Sequence, residues 1–332
     1  MKADQTPGLE AIQKKGWLPA HKWLLLRRAS QLGILGLFLL GPWAGIWLVK
    51  GNLNASLTLD VLPLTDPYVL LQSIVAGHTI ESTALLGAVI VIVFYLLVGG
   101  RTYCSWVCPV NIITDAAQWL RQRLKLSGAS GLSRRTRYWL LAFSLPLSFV
   151  TGSIVWEIIN PVSMLHRGLI FGMGMAWLIV LAIFLLDFLV SKRAWCGHLC
   201  PVGAFYSLLG HTSLLRVRAD NREQCDDCMD CFMVCPEQQV IRPALKAVNN
   251  AGPVILSANC TNCGRCIDVC ARDVFHFGLR LNNSCEHIDC GADRPTDSKQ
   301  SEFNETNLTE TVSRSKSDPL TSRPIPSRAE VL

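Results

Sequence analysis

Eight cysteines between positions 225 and 270 constrain this chain more than any other feature. They fall as CDDCMDCFMVCP from Cys225 and as CTNCGRCIDVCA from Cys260, so the spacing CxxCxxCxxxC is written twice. That spacing wraps three thiolates around one iron-sulfur cube and sends the fourth to its neighbour. It assigns one 4Fe-4S cluster to Cys225, Cys228, Cys231 and Cys270, and a second to Cys260, Cys263, Cys266 and Cys235. Tetrahedral zinc needs only two CxxC pairs and leaves the third and fourth cysteine of each run idle. A disulfide framework needs an oxidising compartment, which the topology below argues against. Pro236 follows the first run and Ala271 the second; that position shapes the turn and supplies no ligand.

Half of the 332 residues are hydrophobic and 17% are charged, and the mean hydropathy is +0.30, which favours a membrane protein. Twelve of the 14 cysteines fall in cofactor-like patterns, so their number points to redox chemistry. The formal charge of +6 does not imply a nucleic-acid partner, because the basic residues flank apolar runs, where they set orientation. No P-loop, dinucleotide fingerprint or hydrolase triad motif is present.

A polar segment, residues 1–28, ends in Lys14, Lys15, Lys22, Arg27 and Arg28. Apolar runs follow at 29–49, 82–99, 138–159 and 169–190; about 20 apolar residues cross a hydrocarbon core. The first run is too long for a signal-peptide core and reads as an uncleaved anchor. Four membrane helices are expected within a membrane domain over 29–215, the last two joined as a tight hairpin. Residues 51–81 carry no Lys or Arg, whereas 100–137 carry Arg101, Arg121, Arg123, Lys125, Arg134, Arg135 and Arg137. The positive-inside rule then puts both termini and the cysteine-rich domain in the cytoplasm. The apolar patch at 68–76 is too short to span and is expected at the outer interface or as a re-entrant piece.

The membrane half repeats. RTYCSWVCPV (101–110) and RAWCGHLCPV (193–202) align at an offset of 92, and Asp66-Pro67 and Asn160-Pro161 correspond loosely in the outer loops. Both hairpins cross in the same sense, as in a parallel repeat. Cys104, Cys108, Cys196 and Cys200 are therefore expected to meet as one ligand set or thiol-redox site; the plainer reading is that they pack as small hydrophobes. After the first CxxxCP, Ile113, Ala116, Leu120 and Leu124 recur at helical spacing opposite Asp115, Arg121 and Arg123, which predicts a helix in the inner interface.

The basic N-terminus, the four runs, two CxxxCP motifs and two ferredoxin motifs, in that order over residues 20–280, resemble the NapH/MauN family of ferredoxin-type membrane proteins. The resemblance implies an all-α four-helix membrane domain with a small α+β ferredoxin-like domain over 216–282. It also implies quinol oxidation and electron delivery through a NapG-type iron-sulfur protein, with a NapC-type cytochrome, toward a periplasmic nitrate reductase. The eight ferredoxin cysteines carry over as cluster ligands; the CxxxCP cysteines carry over as a motif alone. A second class sharing the CxxxCP pattern serves metalloenzyme maturation, as a metal reductase or as electron donor to nitrous oxide reductase. Clusters on the inner side and an acceptor on the outer side stand about 30 Å of hydrocarbon apart, too far for one electron hop.

A quinol pocket combines apolar walls with a few groups that bond hydroxyls. His78, Glu81, Glu157 and His166 are the candidates, all near the outer face, while Asp187 is expected to pair with Lys192 or snorkel. Cys285, His287 and Cys290 supply too few ligands for a metal site. Residues 283–332 read as a disordered tail, rich in Ser, Thr, Asp, Glu and Pro.

Overall fold

A 23-residue helix, Lys22–Ala44, forms the first long element of the computed structural model, which describes residues 7–124, 132–172, 174–248 and 251–281. The tail and the Cys285, His287 and Cys290 group lie outside those residues. The first helix begins seven residues before the expected run, since Lys22 to Arg28 are good helix formers. It stops at Gly45, whose φ of +72° lets its N–H return to the Gly41 carbonyl.

Among the described residues this is the one helix long and apolar enough to cross a membrane. Ser82–Val98 has 17 residues and Thr136–Thr151 has 16, so each rises about 25 Å at 1.5 Å per residue. Gly174–Leu185 continues as a π-helical turn, Leu186–Val190. Outward faces of these helices stay apolar, with Phe94, Phe143, Leu181 and Leu189 all at least half exposed.

The expected tight hairpin between the third and fourth runs is replaced. Gly152, at φ +61°, ends the third helix, and the chain folds back through two short helices, Val155–Ile159 and Pro161–Phe171, before Gly172 turns it again. Thus 138–159 and 169–190 are not single helices. The patch after the first helix is likewise a short inserted helix, Pro67–Val75, with Tyr68 and Gln72 fully buried. It follows a three-stranded antiparallel sheet, Val49–Gly51, Ala55–Thr58 and Leu62–Thr65, that the all-α expectation omitted. These strands alternate weakly and are mostly exposed, so they leave little periodic signal.

The interface helix exists as Val110–Arg123, and its buried face is mixed, with Val110 and Ala117 buried beside polar side chains. Asn111, Thr114 and Arg121 are buried, while Ala116, Trp119 and Leu124 face outward. In the cysteine-rich region, Leu215–Arg218 pairs antiparallel with His276–Leu279 and ties its two ends together. Its core is Val217, Ile241, Ile255, Val274 and Phe275, packed around the cysteines.

Candidate iron-sulfur site

The two ferredoxin loops fold alike because their backbones take the same left-handed turns. Asp227 and Asn262 have φ of 57° and 46°, and Met229 and Gly264 have φ of 65° and 70°. Glycine takes that conformation without cost, and Gly264 also needs the space, since a Cβ there would meet Trp23 Cγ at 2.6 Å. These turns aim backbone N–H groups at sulfur: Asp230 N–H at Cys228, Asn262 N–H at Cys260 and Arg265 N–H at Cys263. Cys225, Cys228, Cys231 and Cys270 line one cavity of about 20 Å³ with Phe232, Val274 and Phe275. Cys235, Cys260, Cys263 and Cys266 form a second group within electrostatic reach of one another.

No three His, Cys, Asp or Glu side chains among the described residues converge tightly enough to hold a single metal ion. Cysteines spread around a space suit a multi-iron cube, whose faces separate its ligands.

Two carboxylates, Glu237 buried and Asp115 partly so, fasten this domain to the repeat. Glu237, just past Cys235, is bound by Arg101 at 2.8 Å, by Arg137 at 3.1 Å and by Arg134. Asp115 is bound by Arg193 at 2.5 Å, by Arg265 at 2.7 Å and by Arg28. Arg101 and Arg193 are the equivalent arginines of the two repeats: Arg101 binds Glu237 of the ferredoxin domain, and Arg193 shares Asp115, on Val110–Arg123, with Arg265 of the ferredoxin domain. Burial pushes the Cys263 thiol up, but the Arg265 and Arg27 guanidiniums more than offset it and leave it below its ordinary value. A thiolate is the ligand form.

The four CxxxCP cysteines are brought together. Cys104, Cys108, Cys196 and Cys200 line one cavity of about 30 Å³ with Asn54, Asp66, Trp156 and Asn160. Each motif closes with the same five-residue bond, Cys108 N–H to the Tyr103 carbonyl at 3.0 Å and Cys200 N–H to the Trp195 carbonyl at 2.9 Å. All four are free thiols. Burial pushes Cys200 up to about 12 and Cys196 well above its ordinary value.

Asp66 and Asn160 cap the inserted helices, accepting from Tyr68 N–H at 2.9 Å and Val162 N–H at 3.0 Å. Asn160 Nδ2 donates to Asn54 Oδ1 at 3.2 Å, and Asn54 Nδ2 donates to Ser163 Oγ at 2.9 Å and to Glu157. Asp66, Asn54 and Asn160 were not among the sequence candidates, although the paired Asx-Pro signal was visible.

Of the quinol candidates, Glu157 joins this polar group and meets Arg167 at 3.3 Å. His166 is buried edge-on to Phe38. His78 and Glu81 are exposed and do not line the cavity. Asp187 does not pair with Lys192: the π-helical turn directs it to the Trp195 N–H at 2.9 Å.

A larger cavity, about 610 Å³, lies between the first helix, Val110–Arg123 and the ferredoxin loops. Leu24, Leu25, Ile112 and Trp119 are among its apolar walls; His21, Arg28, Asp115 and Gln118 are polar; and Val234, Arg265 and Val269 adjoin cluster cysteines.

A family model described as a 4Fe-4S binding domain matches this chain twice, at residues 83–127 and 173–220, once per CxxxCP motif. A 4Fe-4S dicluster domain model matches residues 224–274. The methylamine utilization ferredoxin-type protein MauN of Paracoccus denitrificans is 56% identical, covering 82% of this chain and 95% of its own length. MauN of Methylorubrum extorquens is 53% identical, over 84% and 96%. The ferredoxin-type protein NapH of Escherichia coli is 48% identical, over 84% and 97%. No solved structure matches.

Proposed function

Starting from the fact that the chain belongs to the NapH/MauN ferredoxin-type family and is an iron-sulfur electron-transfer protein, we propose that it is the membrane subunit of a quinol dehydrogenase. On this reading it holds two 4Fe-4S clusters on the eight ferredoxin cysteines in the sets given above, which when bound supply one-electron acceptor sites. The observation that carries it is the 610 Å³ cavity, large enough for a quinol head and walled by both apolar and charged side chains, with walls adjoining Cys235, Cys266 and Cys270. The apolar outward faces are then covered by lipid, with four helical segments in a bacterial inner membrane and both termini and the ferredoxin domain on the cytoplasmic side. Electrons pass onward to a NapG-type iron-sulfur protein, with a NapC-type cytochrome, toward a periplasmic reductase.

The polar group at Glu157 and His166 is the competing quinol site. The inner cavity is favoured because its walls include Val234, Arg265 and Val269 of the cluster loops.

A second reading of the pathway is favoured by the identities, 53% and 56% to two MauN proteins against 48% to the Escherichia coli NapH. On that reading the same electron-transfer chemistry serves methylamine utilisation instead of nitrate respiration. The alternative, a donor for metalloenzyme maturation, would draw on a cytoplasmic reductant and not on quinol.

Anaerobically purified protein in lipid nanodiscs, followed by EPR before and after addition of ubiquinol or menaquinol, tests the chemistry. Reduction of the cluster signals by either quinol supports it. Reduction by a cytoplasmic flavodoxin or ferredoxin alone removes it. Deletion of the gene, with growth compared on methylamine and on nitrate, separates the two pathways.

A further inference from the structure

The four CxxxCP thiols, the most symmetrical chemical feature of the fold, have no part in the two ferredoxin clusters. We propose that Cys104, Cys108, Cys196 and Cys200 together ligate a third iron-sulfur centre of the 4Fe-4S class, seated between the two halves of the repeat; this rests on the electron-transfer reading above but not on quinol as the donor.

The donor set is complete and of one kind: four free cysteines, two from each repeat, around a single cavity. At about 30 Å³ that cavity is of the same order as the 20 Å³ space framed by Cys225, Cys228, Cys231 and Cys270. Cysteines serving only as small hydrophobes would close on one another and fill the space.

The backbone treats these sulfurs as it treats the ferredoxin sulfurs. Cys108 is approached by the Val110 and Asn111 N–H groups, and Cys200 by those of Val202 and Gly203. This is the N–H to sulfur contact two residues on that Cys228, Cys260 and Cys263 receive in their loops.

Helix ends converge there as well. The first turns of Val110–Arg123, Pro161–Phe171 and Pro201–Leu209 and the cap of Pro67–Val75 all line the cavity. Each N-terminus carries roughly half a positive charge, so four of them oppose the negative charge of a tetrathiolate cluster. Four neutral packed thiols need no such arrangement.

Position gives the centre a use. A further small cavity has Cys104, Cys196 and Cys263 in its walls, with Arg101 and Arg193. The site therefore adjoins the second ferredoxin cluster on one side and Asp66, Trp156 and Asn160 on the other. It divides one long electron jump across the helical domain into shorter ones.

Iron and acid-labile sulfide, counted per chain in the full-length protein purified anaerobically, test the assignment. About twelve of each are expected, four per cube, falling to about eight in the Cys104→Ser, Cys196→Ser double variant with the ferredoxin EPR signals retained. Because that variant can misfold, Asp66→Asn provides a second arm; it keeps a capping side chain of the kind found at Asn160. It should keep all the iron and raise the midpoint potential of one EPR signal, the one the double variant loses. Eight irons in the wild type, twelve in the double variant, stoichiometric zinc in the cavity, or an Asp66→Asn protein with no shifted signal overturns the proposal. Twelve irons that no quinol reduces leave it standing and remove the quinol reading; eight that quinol reduces do the reverse.

Discussion

Arg101 Nη1 stands 2.8 Å from Glu237 Oε1, with both side chains sealed from solvent at 2% and 3% exposure. The two lie 136 positions apart in the chain, and the same carboxylate takes Arg137, which is 0% exposed. Removing one member of a buried ion pair costs about 3–5 kcal/mol because the other charge is left without a partner. Glu237→Gln is therefore expected to lower stability by about that amount and to weaken the cluster held by Cys235 first. Denaturant unfolding alongside EPR of that cluster checks both parts.

Asp115 gives a pH prediction. Burial alone would raise its carboxyl, but Arg193, Arg265 and Arg28 more than offset that and hold it far below the usual carboxylate range. A depressed folded-state value means the stabilisation is full above the unfolded value, near 3.9, and is lost only as pH falls from there toward the folded one. The stability deficit of Asp115→Asn should thus be about 3–5 kcal/mol and flat between pH 5 and 8. A deficit that shrinks as pH drops from 8 to 5 would contradict this.

Gly264→Ala places a Cβ against the Trp23 ring at a φ of +70°. The backbone strain and the displaced ring should cost about 1–3 kcal/mol. Its mark is early loss of the signal from the Cys260, Cys263 and Cys266 cluster on warming, with the Cys225 cluster unaffected.

Ala116 lies on the wall of the 610 Å³ cavity and faces outward. Ala116→Trp is expected to raise the apparent KM for quinol about tenfold or more while iron content stays constant. Glu157→Gln should leave quinol kinetics unchanged. The opposite result would move the quinol site to the outer polar group.

Asn160→Ala removes the cap of Pro161–Phe171 and its bond to Asn54. About 1–2 kcal/mol of stability should be lost, with little change in the ferredoxin clusters, measured as the midpoint shift in denaturant.

The eight-cysteine pattern and the doubled CxxxCP were readable because ligand spacing is local: a few residues of loop decide where each sulfur points. The two short helices between the third and fourth runs were not readable, because 138–159 and 169–190 are continuously apolar, and hydropathy does not record the turns at Gly152 and Gly172. The arginines that served as an orientation signal proved to have a second use. Arg101, Arg121, Arg137 and Arg193 are all buried, paired to carboxylates or carbonyls that charge counting does not see. Glu237 escaped notice for the same reason, since its partners Arg101 and Arg137 are far away in sequence, whereas Asp66 caps its own helix two residues on.

By itself the sequence determined where the thiols of the ferredoxin motifs fall and that the helical half is a duplication, because both are written in spacing and repetition along the chain. Only the tertiary structure decided that four thiols from the two halves share one cavity, that helix ends surround it, and that two carboxylates lock it to the ferredoxin loops. Those relations arise when the repeat folds on itself and buries charge, and a buried charge fixes its partner by the cost of leaving it alone.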